Sequence, residues 1–579
     1  MELVVFHYHL RPGGVTVVIT DALQALCGHR FPELTRILLV TGSEENVAEI
    51  TKRILSGCEN RERTISVDVC VIPEMRYAAE MPGSSISGIA FEISKRLQNL
   101  ISTDSLWWVH NHHIGKNPGF TSALLDTAAA YPQQRILLQI HDFPECARYE
   151  NLQFLRSHVS RPVYPEAGNV RFAVINDRDA ELLTEAGVNA SRISVIPNPV
   201  RSGMAPSGGE SRSERQRAAR RAFSRAFPAS VSQRFPGYRP DGLLFLYPVR
   251  AIRRKNVLEA GLLARLFSHR SGSAANLVVT LPGTSDQERA YSDLVAHAFE
   301  SGVIPGLWAA GTELDDHELS FADVTDAADL IVSSSVQEGF GYAFVQALVW
   351  QHPLVARYLD VTDGLRPMFS RYPALFYREL LVPFNVPGVS ALKTLLRFRY
   401  KEQIERVRPY VPAGAIAALN EELEVLLSRE DVEFSFLPAE AQFAVLSALR
   451  DRRFASDVCA RNADLLEGVE DVIGADCSAG PQLVEDHLAF AAFAANFRAA
   501  VDAFGPGLGM RENESRTNAG NAPPAGKPAR HTSARASTSS ARMQKNSPDA
   551  TEDFVQNALI RHFARLDYLR LVYTTGANG

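Results

Sequence analysis

The chain has few cysteines and no long apolar run. Its six cysteines are scattered without a C-x-x-C pair, which argues against a zinc site or a disulfide framework and favours a reducing compartment. No stretch of about 18 apolar residues occurs, so no transmembrane helix is expected. The apolar run at the start is broken by His7 and His9 and is too short for a signal peptide. We therefore expect a cytoplasmic protein.

An excess of positive charge is also absent. The formal net charge is −6, which provides no overall attraction to nucleic acid, so no nucleic-acid partner is expected. Hydrophobic residues make up 46% of the chain and charged residues 22%, as in globular proteins. A chain of 579 residues exceeds the roughly 250 to 300 residues that one core supports. Two principal domains are therefore predicted.

Short β-rich runs alternate with helical patterns in the first 200 residues. The runs are LVVFHY, RILLVTG, ISVDVCVIP, LWWVH, RILLQIHD, VRFAVIN and ISVIPNP. Residues 243–370 repeat this arrangement with GLLFLYPVR, NLVVTLPG, GLWAAG, ADLIVSSS and HPLVAR. Strands that alternate with helices form parallel sheets. The pattern predicts an α/β protein with two Rossmann-like domains, 1–200 and 243–370.

A basic segment rich in Gly, Pro and Ser, residues 203–242, joins these two domains as a linker. Residues 212–227 within it form an arginine-rich helical pattern, with Phe223 and Phe227 four residues apart. Such a helix could lie on an anionic membrane surface through the two phenylalanines, which would make the protein membrane-peripheral. A solvated inter-domain helix is the alternative that we favour.

Three further segments follow the second domain. Residues 371–505 have mostly helical spacing without recognisable chemistry. Residues 511–550 lack aromatics and are rich in Ser, Ala and Pro, so they are predicted to be a disordered linker. Residues 551–579 return to an amphipathic pattern, which predicts a C-terminal helix that docks on the rest of the chain.

Two segments could approach a phosphate. Gly13 and Gly14 connect the first apolar run to a helical pattern, where glycine leaves room for a phosphate at a helix N-terminus. Arg250 and Lys255 follow the run LLFLYPV, at the strand end where α/β sheets bind ligands. A purely structural turn and a solvated basic loop remain the respective alternatives.

A carboxylate precedes a glycine-rich turn in the segment SSSVQEGFGYAFVQA, residues 333–347. Glu338 can accept hydrogen bonds from sugar hydroxyls, and the N–H groups of Gly339 to Gly341 can meet a phosphate or a hydroxyl. The turn glycines also have a structural interpretation.

The chain resembles the retaining GT-B glycosyltransferases of family 4. The matching pieces are FHYHLRPGGVTVVI, QIHDF, VINDRDAELLTEAGV followed by ISVIPNPV, VRAIRRKN, and SSSVQEGFGYAFVQALVWQHPLVA. They occur in the family's order over about residues 1–200 and 243–360. The resemblance implies a GT-B fold, with an acceptor-side first domain and a second domain that binds a nucleotide sugar.

Carried over by position, the resemblance implies four catalytic residues. His141 would lie beside the transferred sugar, Arg250 and Lys255 would hold the diphosphate, and Glu338 would bind the sugar. A satisfied core histidine is the alternative for His141.

The resemblance also implies the donor-binding positions Gly13, Gly14, Gly339, Phe340, Gly341 and Gln346. In the family's E-x7-E pattern the second acid contacts the ribose hydroxyls, but Gln346 stands there in this chain. An amide can hydrogen-bond the ribose without the strength of a charged acceptor.

Lys116 and Asn117 follow the histidine cluster His110, His112 and His113. We consider Lys116 and Asn117 as possible acceptor contacts. The histidines could suggest zinc, but no nearby cysteine completes a site, and the resemblance implies a metal-independent enzyme. No metal and no cofactor are therefore predicted.

The predicted function is transfer of a hexose from a nucleotide diphosphate sugar to an unidentified acceptor, with retention of configuration. A UDP-hexose is favoured over a GDP- or ADP-sugar. A weakened nucleotide-sugar-binding scaffold or regulator and a GT-B nucleotide-sugar epimerase are the alternatives. In the front-face reaction that the resemblance implies, the departing phosphate takes the acceptor's proton.

Overall fold

The computed structural model describes residues 1–28, 31, 34–57, 65–201, 212–314, 319–505 and 553–570. The predicted disordered linker 511–550 lies outside these residues, as do the first part of the 203–242 linker and the end of the 551–579 segment. In the described ranges, none of the helices is both long and apolar enough to cross a membrane.

The first domain is built on a parallel sheet with the order β3-β2-β1-β4-β5-β6-β7. Its strands are β1 (Glu2–His7), β2 (Arg36–Thr41), β3 (Ser66–Val71), β4 (Ser105–His110), β5 (Arg135–Ile140), β6 (Val170–Val174) and β7 (Ile193–Val195). Its helices are α1 (Gly14–Gly28), α2 (Val47–Ser56), α3 (Ile86–Gln98), α4 (Pro118–Ala130), α5 (Tyr149–His158) and α6 (Asp177–Glu185). Each of the seven predicted runs overlaps one of these strands.

Strand β1 illustrates why the runs are almost continuously apolar. Leu3 and Val5 pack into the core on one face of the sheet, and Val4 and Phe6 pack into the core on the other. A parallel sheet covered by helices on both faces requires apolar residues at successive positions.

The second domain repeats this design with the order β10-β9-β8-β11-β12-β13. Its strands are β8 (Leu243–Arg250), β9 (Ala275–Leu281), β10 (Gly306–Leu307), β11 (Leu330–Ser333), β12 (Leu354–Arg357) and β13 (Ala374–Tyr377). Its helices are α7 (Arg212–Ala226), α8 (Val257–Ser271), α9 (Asp286–Glu300), α10 (Phe321–Ala327), α11 (Tyr342–Val349) and α12 (Arg366–Phe369). All of its strand pairs are parallel.

In both sheets the strand order reverses beside the first strand. The reversal lies between β1 and β4 in the first domain and between β8 and β11 in the second. Ligands of open α/β sheets bind in the crevice outside the carboxyl ends of the strands at such a point. The two crevices face each other, because the position that a Cβ on Gly339 would occupy lies 3.2 Å from the carbonyl oxygen of His141. This arrangement confirms the predicted GT-B architecture of two facing Rossmann-like domains.

The region after the second sheet is helical, with a small two-stranded addition. Strands β14 (Leu381–Pro383) and β15 (Asp431–Glu433) pair in antiparallel fashion. The helices are α13 (Leu392–Val407), α14 (Ala413–Ser428), α15 (Ala439–Ala448), α16 (Arg452–Arg461), α17 (Ala463–Val472), α18 (Gly480–Leu488) and α19 (Phe490–Asp502). Strand β13 belongs to the second sheet although it lies beyond residue 370.

Helix α19 returns to the first domain. The rings of Phe493 and Phe497 lie 6.3 and 4.9 Å from that of Trp108 on β4. The last helix of the 371–505 region therefore completes the core of the first domain, because the β4 face needs an apolar cover there.

The burial of the aromatic residues at the end of helix α7 does not agree with the membrane-contact hypothesis. Phe223 and Phe227 are each 2% exposed, their ring centroids lie 4.9 Å apart, and both belong to the second-domain core. The aromatic pair proposed for a membrane surface thus stabilises the protein interior, and that use of the pair was wrong.

The C-terminal segment forms α20 (Phe554–Phe563) and α21 (Leu566–Leu569). Leu559 and Phe563 pack into the first domain, and Ile560, Leu566 and Leu569 pack into the core of the second. The segment therefore docks across both domains, as the apolar pattern requires.

One cysteine departs from the expectation of unpaired thiols. Cys27 is disulfide-bonded, whereas Cys70, Cys146, Cys459 and Cys477 are free. Spacing along the sequence carried no information on this pairing.

Candidate functional site

Two loops meet at the reversal point of the second sheet. Tyr247 on β8 donates a hydrogen bond from its hydroxyl to the carbonyl oxygen of Lys255, at 2.7 Å. The hydroxyl of Ser334, after β11, donates to the carbonyl oxygen of Asn256, at 2.9 Å. The Val336 N–H donates to the Arg254 carbonyl oxygen, also at 2.9 Å. These bonds hold the basic loop after β8 against the loop that leads to Glu338.

The carboxylate of Glu338 lies between two cations. Lys255 Nζ forms an ion pair with Oε1, and Arg254 Nη1 lies 3.2 Å from Oε2. Burial alone would raise the pKa of Glu338, but Lys255 and then Arg254 outweigh it and lower the pKa to about 2. Glu338 is therefore an ionised hydrogen-bond acceptor throughout the neutral range.

Arg250 is not brought into this cluster. Its Nη1 lies 4.0 Å from Glu288 Oε2 on α9, and its side chain is 52% exposed. The sequence motifs assigned no role to Arg254. The structure instead places Arg254 beside Lys255 and leaves Arg250 at the rim.

On the first-domain side, His141 follows β5 and is buried. Its Nε2 lies 2.9 Å from His110 Nδ1, and the two rings stack with centroids 5.2 Å apart and planes 9° apart. Its backbone N–H donates to Asn111 Oδ1 at 2.9 Å. Burial lowers the pKa of His141 to about 4, so the imidazole facing the second domain is neutral at pH 7.

His112 and His113 are structural. The Nε2–H of His112 donates to the carbonyl oxygen of Val163 at 2.8 Å, and that of His113 donates to the carbonyl oxygen of Asp142 at 3.0 Å. Among the described residues, no group of three or more His, Cys, Asp or Glu side chains is arranged to hold a metal ion.

A cavity lies between the two domains at this point. The first domain contributes His141, Asp142, Phe143, Cys146, Arg178 and Asp179. The second domain contributes Val336, Gln337, Glu338, Gly339, Leu359 and Asp360, and the C-terminal segment adds Phe563 and Tyr568. The arrangement brings His141 and Glu338, predicted from separate motifs, to opposite walls of one space.

Direct contacts hold the two walls together. Asn176 Nδ2 donates to the Gly339 carbonyl oxygen at 3.2 Å, and Gln337 Nε2 donates to Cys146 Sγ at 3.0 Å. The close approach of Gly339 to His141 leaves little room for a larger side chain.

The remaining donor-side positions lie around the turn before α11. Gly341 has φ of +84° and is the N-cap of α11, a conformation that favours glycine, and Phe340 is 5% exposed. Gln346 is half-buried on α11. Of these positions, Gly339 lines the cavity, whereas Phe340 packs into the second-domain core.

Gly13 and Gly14 lie at the reversal point of the first sheet. Both are exposed at the start of α1, and a Cβ on Gly14 would meet no atom within 4 Å. The turn is open, so a ligand can approach its backbone.

Lys116 and Asn117 have different environments. Asn117 caps α4, because its Oδ1 accepts the Phe120 N–H at 3.0 Å, and its Nδ2 donates to the carbonyl oxygens of Glu74 and Arg76, each at 2.7 Å. Both amide protons are used, so the hypothesis that Asn117 contacts the acceptor was wrong. The ammonium of Lys116 lies over the Tyr77 ring, 5.5 Å from its centroid.

Several cavity residues had no predicted role, among them the polar residues Arg178, Asp179, Asp360 and Tyr568. The first two lie in the segment VINDRDAELL, whose resemblance was noted without assigning roles. Asp360 and Tyr568 lie in segments without a chemical motif, and only tertiary packing brings them here.

Comparisons with known proteins agree with this architecture. A mannosylglucosyl-3-phosphoglycerate synthase from Petrotoga mobilis is 30% identical over 449 residues, which cover 76% of this chain and 80% of that protein. No protein-family model matches the chain. This relative, together with the two-domain fold and the cleft, identifies the chain as a glycosyltransferase. The chain belongs to the glycosyltransferase family of mannosylglucosyl-3-phosphoglycerate synthase.

Solved structures of glycosyltransferases are also similar at low identity. A lipopolysaccharide outer core galactosyltransferase is 12% identical, with a TM-score of 0.43 over 86% of this chain and 99% of that chain. Sucrose-phosphate synthase from Thermosynechococcus elongatus is 12% identical, with a TM-score of 0.43 over 86% of this chain and 98% of that chain.

Proposed function

We propose that the protein transfers a mannosyl group from a nucleotide diphosphate sugar to a glucosylated 3-phosphoglycerate, with retention of configuration. The named relative supports the choice of sugar and acceptor. The observation that carries the site assignment is the Glu338 cluster, in which Lys255 and Arg254 pair with a carboxylate that lies across the cavity from His141.

The proposed donor site uses the second domain. The diphosphate would lie at the N-terminus of α11 and at the cations of the β8 loop, with Arg250 available at the rim. As the glycosidic bond breaks, negative charge grows on the leaving phosphate. Fixed cations and oriented N–H groups stabilise that charge without reorganising. Lys255 would then exchange part of its interaction with Glu338 for the phosphate.

The ionisation states support a binding role for Glu338. A carboxyl group with a pKa of about 2 is a poor proton donor near pH 7, but its oxygens accept hydrogen bonds from sugar hydroxyls well. His141, neutral at that pH, can lie close to a sugar without adding charge. The acceptor's proton would pass to the departing phosphate, so a protein carboxylate need not act as nucleophile.

Thermal-shift measurements with UDP-, GDP- and ADP-mannose test the donor assignment, because a ligand of the native state raises the melting temperature. The donor that binds is then incubated with glucosyl-3-phosphoglycerate, and the product's anomeric configuration is determined by NMR. A mannosylated product with the donor's configuration is expected. Donor isomerisation without an acceptor, or binding without turnover, would instead support an epimerase or a scaffold.

A further inference from the structure

Lys116 is fixed in place on the cleft-facing edge of the first sheet. It lies in the loop after β4, and its carbonyl oxygen accepts the Ala78 N–H at 2.9 Å. The preceding Gly115 has φ of +73°, and a Cβ there would lie 2.3 Å from the carbonyl oxygen of Asn151 on α5. The loop is therefore pressed against the first turn of α5.

Arg148 is the N-cap residue of that same helix. Because Asn151 follows it by three residues, the contact at Gly115 brings Lys116 and Arg148 to neighbouring positions. The Arg148 guanidinium is only partly neutralised, since Nη2 lies 3.3 Å from Asp142 Oδ2 and both side chains are more than a third exposed.

No carboxylate in the described ranges pairs with the ammonium of Lys116, which instead lies over the Tyr77 ring. Burial, and then the nearby charge of Arg148, lower the pKa of Lys116. Both effects disfavour the cation in this state, and a bound anion would relieve both. By contrast, Arg11 nearby is already neutralised by Glu45 and Glu80.

Asp142 connects the cation pair to the cavity. Asp142, the partner of Arg148, lines the cavity, and its Oδ1 lies 3.7 Å from the position that a Cβ on Gly339 would occupy. An anionic group on Lys116 and Arg148 would therefore lie on the first-domain side, next to the place proposed for the transferred sugar.

We infer that Lys116 and Arg148 form an anion subsite that holds the phosphate or carboxylate of the acceptor's phosphoglycerate group. This inference rests on the proposed function for the identity of the acceptor. Arginine and lysine side chains at one site suit a phosphate, because the guanidinium provides a fork of donors and the ammonium a compact charge.

The test uses the full chain and 3-phosphoglycerate as a probe in thermal-shift titrations. Wild-type protein is expected to be stabilised, and Lys116→Met and Arg148→Met are expected to bind the probe about tenfold to one hundredfold more weakly, the range for a lost charge-assisted hydrogen bond. Methionine keeps an apolar chain over Tyr77. Glycerate and inorganic phosphate, titrated in parallel, show whether the carboxylate or the phosphate is held.

Lys95→Met is the matched control, because the Lys95 ammonium also lies over an aromatic ring, 5.3 Å from the centroid of Phe91, but pairs with Glu92 on the exposed side of α3. It should bind the probe like wild type. The donor nucleotide should still stabilise all three variants, which shows that they are folded.

Failure of the inference can be told apart from failure of the proposed function. If 3-phosphoglycerate does not stabilise the wild type, or stabilises Lys116→Met and Arg148→Met equally well, the subsite is disproved even where mannosyl transfer occurs. If no sugar nucleotide binds or reacts, the proposed function fails, while the binding of the anion is still measured independently.

Discussion

Arg178 Nη2 lies 2.8 Å from Asp360 Oδ2 and joins the two domains across the cavity. Arg178 lies in the first turn of α6 in the first domain, and Asp360 follows β12 in the second. The hydroxyl of Tyr568, in the C-terminal segment, donates to the same Asp360 oxygen at 3.2 Å. One carboxylate thus connects three separate parts of the chain.

Asp360→Ala should shift the protein towards an open cleft. The Asp360 side chain is 45% exposed, so the ion pair with Arg178 contributes only about 0.5 to 1 kcal/mol of interaction free energy. Its loss nevertheless affects the relative position of the two domains, because the pair joins them. Small-angle X-ray scattering should show a larger radius of gyration. Asp363→Ala is the control, because Asp363 pairs with Arg366 inside the second domain. An identical scattering curve for Asp360→Ala and wild type would contradict this prediction.

Lys255→Met should lower turnover about one hundredfold to one thousandfold, the range for removing a preorganised group that stabilises developing charge. Mannosyl transfer, measured at saturating donor, tests this. Lys401→Met on α13, which loses a hydrogen bond to Asn420, should retain full turnover. A folded Lys255→Met variant with normal turnover would refute the donor-site assignment.

Glu145→Gln should stabilise the protein above neutral pH. Glu145 is fully buried, and burial raises its pKa from 4.5 to about 7. The contribution of protonated Glu145 to stability is therefore complete below pH 4.5. It is lost as the pH rises to 7, which lowers the free energy of unfolding by about 3 kcal/mol in total. An amide does not ionise, and its oxygen can still accept the Tyr164 hydroxyl, which now lies 3.2 Å from Glu145 Oε2.

Urea unfolding at pH 5 and pH 8 measures this difference. The gain in the free energy of unfolding of Glu145→Gln over wild type should be larger at pH 8 than at pH 5. Glu150→Gln, at an exposed position of α5, should show no such dependence on pH. An equal gain at both pH values would show that Glu145 does not titrate in this window.

Arg357→Met should destabilise the protein strongly. The buried guanidinium lies between Glu259 on α8 and Glu433 on β15, and the side chains are between 0 and 3% exposed. Removing it leaves two buried carboxylates without their main partner, which costs about 3 to 5 kcal/mol. Chemical denaturation measures the loss. Arg366→Met, whose arginine is 72% exposed, should have no measurable effect.

Acid should weaken the histidine-rich edge of the first sheet. Burial lowers the pKa of His7 to about 3 and the pKa values of His112 and His141 to about 4. In the unfolded chain these groups bind protons near pH 6.5. Stability is therefore expected to fall as the pH decreases from 6.5 towards 4, and denaturation midpoints between these values measure this. A constant midpoint over that range would contradict the buried, neutral state of the three histidines.

Much of the fold followed from local patterns. The twelve predicted apolar runs each overlap a strand, because a strand buried on both faces must be apolar over successive residues. Strand β13 was missed. It is a four-residue edge strand whose first three positions are only partly buried, so its apolar pattern is weak. The motif around Glu338 could be recognised because its residues lie close together along the chain.

Contacts between distant segments could not be predicted in this way. The sequence contains both Arg250 and Arg254 near Lys255, and only the packing of the β8 loop on the β11 loop decides that Arg254 reaches Glu338. Phe223 and Phe227 have the spacing of a surface-binding helix, but they pack into the core of the second domain. Asn117 is a residue type that often contacts ligands, yet it serves as a helix cap.

The amino-acid sequence alone indicated the two Rossmann-like units, the candidate site residues Glu338 and Lys255, and the apolar C-terminal pattern. Periodicity and short motifs depend on neighbours a few residues apart, so they can be read along the chain. Only the tertiary structure decided that Arg148 lies beside Lys116, that Asp360 meets Arg178, and that Tyr568 closes one side of the cavity. These contacts are between residues up to several hundred positions apart. They depend on how the folded chain packs, which cannot be derived from patterns of neighbouring residues.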